Sequence, residues 1–181
     1  MTHITDHFVE IQRRVHLALE RAGRSSDDVK IVAVSKGQPA AAIESARGAG
    51  ATDFGENYVQ EALDKIAAIG STGLVWHFVG RIQSNKTRLI AERFDWVHTV
   101  DREQIAARLS AQRPAGLPPL NVLIQLNLAG EPQKGGIGSG DLLPLAKTIS
   151  ELPNVALRGL MTIPPAGLTE AACREHFAAV A

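Results

Sequence analysis

The apolar run Ile31–Val34 ends on a serine and a lysine: the stretch from Ile31 to Pro39 reads IVAVSKGQP. A lysine amine is a nucleophile only when neutral. Burial or a neighbouring cation can bring its pKa from about 10.4 down to about 7–8. In that state Lys36 can form a Schiff base with a carbonyl substrate or an aldehyde cofactor. The alternative is a rim lysine whose stem is covered while its ammonium reaches water.

Other short stretches carry groups able to act beside it. FGENYVQEA, from Phe54, holds Asn57, which can orient a ligand by hydrogen bonds or cap the helix that follows. WHFVGRIQSNK, from Trp76, combines His77 with a glycine turn and a basic helix start. Its glycine and lysine spacing is not that of a phosphate-binding P-loop. No second ligand stands at metal spacing to His77, which reads as a satisfied core or rim histidine. GEPQKGGIGSGD packs Gly135, Gly136, Gly138 and Gly140 ahead of a helix. Such a loop can offer backbone N–H groups to an anion or move over a pocket mouth. Met161, before Ile163-Pro164-Pro165, can floor a pocket or fill core.

These residues need a scaffold, and the chain supplies an alternating one. Apolar positions from Asp6 to Ala22 recur at helical spacing, and Gly23 stops the helix. VKIVAVS is short, β-branched and expected to be a strand buried on both faces. Pro39 opens the next helix. Strands then follow at ATDFGEN, LVWHFVG, DWVHTV, PLNVLIQLNLAG and NVALRGLMTI, each succeeded by a helical stretch. This alternation implies βαβ units and a parallel α/β sheet with right-handed connections.

In such folds functional groups gather at the carboxyl ends of strands. The six strands deliver Ser35 and Lys36; Gly55, Glu56 and Asn57; His77, Gly80, Arg81 and Gln83; His98, Thr99 and Asp101; Gln125 and Asn127; and Met161 and Thr162. Any strand-to-loop transition also yields polar residues. Six units fit either an open doubly wound sheet or a (β/α)8 TIM barrel with about six of its eight units present. The chain ends within the helical stretch HFAAVA, which favours a single domain over residues 1–181, a barrel incomplete at its C-terminus.

Composition limits the partners. Hydrophobic residues make up 45% and charged residues 21% of the 181 residues, as in ordinary globular proteins. Nineteen basic residues balance nineteen acidic ones, so no global field attracts nucleic acid or a membrane surface. The single Cys173 excludes an internal disulfide and fits the cytoplasm. The N-terminus lacks a signal-peptide core, and no apolar run is long enough to span a membrane.

The motifs VAVSK, DFGENYVQEALDKI, WHFVGRIQSNK, LNLAGEPQKGGIG and GLMTIPP occur here in one order. Together they resemble the pyridoxal phosphate homeostasis protein family, which includes the bacterial YggS proteins and the mammalian proline synthetase co-transcribed homologue. The resemblance spans the chain from about Asp6. It implies a barrel like the N-terminal domain of alanine racemase, with pyridoxal 5'-phosphate held as an internal aldimine on Lys36. Asn57, His77 and Met161 are the further cofactor-binding residues expected from it. The implied role is intracellular vitamin B6 homeostasis without robust catalysis. Its partners are the cofactor and the pyridoxal phosphate-dependent apoenzymes that receive it, and a complete barrel would be a monomer. Family members usually run further and carry there strands seven and eight, a phosphate cradle and an arginine facing the pyridine nitrogen. Two alternatives stay open: a pyridoxal phosphate-dependent racemase or lyase, and a truncated remnant with impaired binding. A racemase needs acid/base groups on both faces of the substrate carbanion, and racemases of this fold use a second domain for them.

Overall fold

Helices and strands alternate along the chain in a computed structural model that describes residues 2–70, 73–131 and 135–181. Contacts divide it into two units, residues 1–77 and 78–181.

The first unit holds helices α1 (Thr2–Ala22), α2 (Ala40–Gly48) and α3 (Val59–Ile69) and strands β1 (Ala33–Val34) and β2 (Asp53–Glu56). Strand β3 (Val75–Phe78) begins in it. β1 and β2 run parallel, with Ala33 opposite Phe54 and Val34 opposite Gly55. The core is built from Phe8, Leu19, Ile43, Phe54, Ala62 and Trp76, all buried. Phe54 and Trp76 stack at a tilt, with centroids 6.1 Å apart.

The expectation of a first strand buried on both faces is corrected. Only Ala33 and Val34 pair as a strand, and Val34 is 51% exposed. Among the described residues β1 pairs with β2 and stands at the end of the strand order, and the face that carries Val34 is left uncovered. Pro39 caps α2 at φ −70°, an angle its ring dictates.

The second unit holds α4 (Thr87–Arg93), β4 (Trp96–Val100), α5 (Glu103–Gln112), β5 (Leu120–Leu126), α6 (Leu142–Ser150), β6 (Val155–Thr162) and α7 (Glu170–Ala178). β4, β5 and β6 pair in that order, all parallel. Ile90, Val97, Ile105, Leu109, Leu120, Ile124 and Ile149 are fully buried between sheet and helices. Phe78 and Phe94 meet edge to face at 5.4 Å, the arrangement ring quadrupoles favour. The β5–β6 register shifts between Val122 and Leu123, where Leu157 and Gly159 are the successive partners. Arg158 is the extra residue of this bulge, and its side chain turns out to bond the Asn121 amide oxygen at 2.7 Å.

Among the described residues no helix is long and apolar enough to cross a membrane.

Candidate functional site at the end of β1

The chain leaves β1 through a tight turn. Ser35 N–H extends the ladder to Gly55 O at 2.9 Å, and Gln38 N–H returns to Ser35 O at 3.0 Å. Lys36 and Gly37 are the central residues of this turn. Gly37 has φ +70°, a left-handed angle that a side chain would strain. Lys36 is exposed and makes no hydrogen bond or ion pair among the described residues.

The turn is fastened from β2 and α3. Ser35 Oγ donates to Glu56 Oε1 at 2.6 Å. Lys65 Nζ donates to Ser35 O, Glu56 Oε1 and Glu61 Oε1, each at 2.6 Å. Glu61 Oε1 also accepts the Gly37 N–H at 2.6 Å. All three ammonium protons of Lys65 are thereby engaged. Glu56 is fully buried and Lys65 is 6% exposed. Burial works against the Lys65 charge, but hydrogen bonds to Glu56 and Glu61 outweigh it and hold its pKa above the ordinary lysine value. The Lys65 hydrogen bond, followed by that from Gly37, holds the Glu61 carboxyl below its usual range.

Ser35 and Glu56 both face α3, where Lys65 bonds them. Lys36 follows in the turn after β1, and Asn57 directly follows β2. Asn57 is half-buried, and its Oδ1 is a buried acceptor with no partner. The capping alternative for Asn57 does not hold: the residue capping α3 is Tyr58, and no side chain bonds the helix's first amides. Glu56 Oε2 is likewise buried without a partner.

His77 lies elsewhere on the strands. Its Nε2 is 2.9 Å from Asp53 Oδ1, and Asp53 opens β2, about 10 Å below Glu56 at strand spacing. Asp53 Oδ2 accepts from Thr52 Oγ1 at 2.7 Å and from Lys30 Nζ at 3.2 Å. Burial raises the Asp53 pKa, but the hydrogen bonds from Thr52, His77 and Lys30 together bring it below the ordinary value. The structure thus places Lys36 in the turn after β1 and Asn57 directly after β2, and buries His77 within β3.

In the second unit Met161 pairs with Gln125 near the end of β6 and is partly exposed. The glycine-rich loop folds onto the end of β5. Ile137 N–H bonds Gln125 O, Asn127 N–H bonds Ile137 O, and Gln125 Nε2 bonds Gly135 O, each at 2.9 Å. Gly136 sits at φ +112°, where a Cβ would come within 3.0 Å of Gln125 O. Close backbone approach explains a glycine there. Pro132, Gln133 and Lys134 of this loop lie outside the described residues.

Sequence reading missed Lys65 and Glu61. A signal existed: Lys65 falls on the same helical face as Val59 and Ala62, three residues apart each. A lysine on a buried face demands a carboxylate partner. Glu61 precedes it by four residues, the favourable order for a helical ion pair.

The residues present fit pyridoxal phosphate on two counts. Lys36 offers an uncommitted amine, and Asn57 Oδ1 is an acceptor lacking a donor.

Comparison with known proteins agrees with the fold. The family described as alanine racemase, N-terminal domain, matches residues 9–180. The pyridoxal phosphate homeostasis protein of Pseudomonas aeruginosa is 52% identical over 98% of this chain and 77% of its own length. The structure of PipY from Synechococcus elongatus with pyridoxal phosphate bound is 40% identical, with a TM-score of 0.78 over 91% of this chain and 76% of that one. Alanine racemase from Bacillus anthracis is 17% identical, with a TM-score of 0.71 over 97% of this chain and 43% of that one, and so shares the fold. A 52% identity across nearly the whole chain, on an alanine racemase-like α/β fold, places this protein in the pyridoxal phosphate homeostasis protein family.

Proposed function

We propose that the protein holds pyridoxal phosphate covalently through Lys36 and serves vitamin B6 homeostasis in the cytoplasm, passing the cofactor to apoenzymes that depend on it. The observation that carries this reading is the exposed, unbonded Lys36 amine just after β1, with Asn57 and its unpartnered Oδ1 just after the neighbouring strand β2. Pyridoxal phosphate supplies an aldehyde carbon that a neutral amine can join as a Schiff base, with release of water. Lys36 is exposed, so the aldehyde can approach its amine from solvent. Asn57 orients what binds by hydrogen bonding.

Holding, rather than turnover, is the better-supported role. Glu56, Glu61 and Lys65, the titratable groups fastened to the Lys36 turn, are bonded to one another. None of them is free to shuttle a substrate proton, and turnover at carbon needs a poised acid or base. PipY has been solved both without and with pyridoxal phosphate bound, so the fold of a relative exists in an empty and a loaded state.

The test is the visible absorbance of protein mixed with pyridoxal phosphate, followed by addition of an apoenzyme. A Schiff-base band that is lost in Lys36→Ala, and that decays as the apoenzyme gains activity, is expected. A spectrum identical in wild type and Lys36→Ala would overturn the reading. Conversion of an amino acid by the loaded protein alone would replace holding with catalysis.

A further inference from the structure

We propose that Glu61 and Lys65 of α3 are positioning residues for Lys36, clamping the two peptides that flank it while leaving its side chain free. This inference rests on the reading of Lys36 as the cofactor lysine. The geometry is specific. Lys65 Nζ holds Ser35 O, immediately before Lys36, and Glu61 Oε1 holds the Gly37 N–H, immediately after it. Glu61 Oε1 and Lys65 Nζ also bond each other, so the two anchors form one unit. Ser35 is tied a second time, through its hydroxyl to Glu56. The side-chain hydrogen bonds of Ser35, Glu56, Glu61 and Lys65 run to the turn's backbone or to one another, and none to the Lys36 amine.

The clamp also separates the roles of two nearby lysines. Lys65 has all three donors engaged and is buried between two carboxylates, so it carries no lone pair for an aldehyde. Lys36 is exposed and unbonded. The buried, fully bonded lysine holds the backbone, and the exposed, unbonded one is the one presented. A turn fixed beforehand spares the ordering that covalent capture would otherwise require, and displacements near 1 Å are enough to slow a positioned reaction by about a hundredfold.

Glu61→Ala is the variant to use, because its side chain is 30% exposed and its loss leaves no buried charge of its own. Two quantities are compared in wild type, Glu61→Ala and Glu61→Gln, well below the melting temperature. One is amide hydrogen exchange at Gly37; the other is the rate at which free pyridoxal phosphate is captured at Lys36, followed by absorbance and normalised to folded protein. The clamp predicts faster Gly37 exchange and capture slowed by about tenfold or more in Glu61→Ala. Both should recover in Glu61→Gln, which keeps an acceptor oxygen. A merely structural Glu61 would lower the melting temperature while leaving capture per folded molecule unchanged. Unchanged exchange and unchanged capture in Glu61→Ala would overturn the clamp. If wild type itself takes no cofactor on Lys36, the Schiff-base reading falls on its own. The Gly37 exchange comparison then decides the clamp: acceleration in Ala with recovery in Gln keeps it, and no change ends it.

Discussion

The Lys65 ammonium lies 2.6 Å from the Ser35 carbonyl oxygen, so a residue thirty positions further along the chain holds the peptide that leads into Lys36. That bond joins α3 to the end of β1 and makes the geometry of the turn depend on a helix packed behind it. The same ammonium neutralises Glu56, a carboxylate with no exposure to water. Removing one member therefore affects both the turn and the core.

Lys65→Met is expected to destabilise the protein by about 3–5 kcal/mol, because it strands the Glu56 carboxylate without a counter-charge. The double variant Lys65→Met with Glu56→Leu should recover most of that loss, since burying neither charge costs less than burying one. Urea unfolding of the two single variants, the double variant and wild type measures the coupling.

Stability should decline at both ends of the pH range through identifiable groups. The Asp53 pKa is lowered from its ordinary 3.8, through the Thr52, His77 and Lys30 hydrogen bonds acting against burial. Its contribution is present above the unfolded pKa and is lost as pH falls through the folded one. The Lys65 pKa is raised from 10.5, with burial opposing and the Glu56 and Glu61 bonds prevailing. Its contribution is complete below the unfolded pKa and is lost as pH rises through the folded one. Asp53→Asn should flatten the acid limb of a plot of urea midpoint against pH. The variant with both Lys65→Met and Glu56→Leu should flatten the alkaline limb.

In the second unit Arg113 supplies a separate test. Its Nε bonds Pro118 O at 2.8 Å, and its Nη1 bonds Ala91 O and Phe94 O at 2.6 and 2.8 Å. Burial presses its pKa down, with Asp95 opposing. Arg113→Lys keeps the charge but cannot reach three carbonyls with a planar fork. A loss of about 1.5–3 kcal/mol is expected in thermal unfolding.

The alternation of strands and helices was legible because most helices carry an apolar stripe, as α3 does with Val59 and Ala62, and strands such as β4 and β5 are short runs rich in β-branched and apolar residues. Position alone left Lys36 between a rim charge and a nucleophile, and only the resemblance carried by VAVSK and its companion motifs singled it out. β1 was overread: IVAVS has the composition of a doubly covered strand, but composition cannot tell whether anything packs on each face, and Val34 is left exposed. Asn57 looked like a cap because asparagine often is one, and the chain instead extends through Tyr58 before α3 begins. Lys65 escaped notice because its partners are far apart: Ser35 and Glu56 reach it only once β1 and β2 are paired and α3 is laid over them. Arg158 shows the same limit, since the bulge that admits it is set by pairing between β5 and β6.

The central claim is that Lys36 is the residue that takes the cofactor. Its most direct measurement is borohydride reduction of the protein loaded with equimolar pyridoxal phosphate, followed by mass spectrometry of the peptides. The account predicts one stable phosphopyridoxyl adduct per chain, on the peptide carrying Lys36. An adduct spread evenly over the surface lysines, or one that leaves Lys36 unmodified, would contradict it.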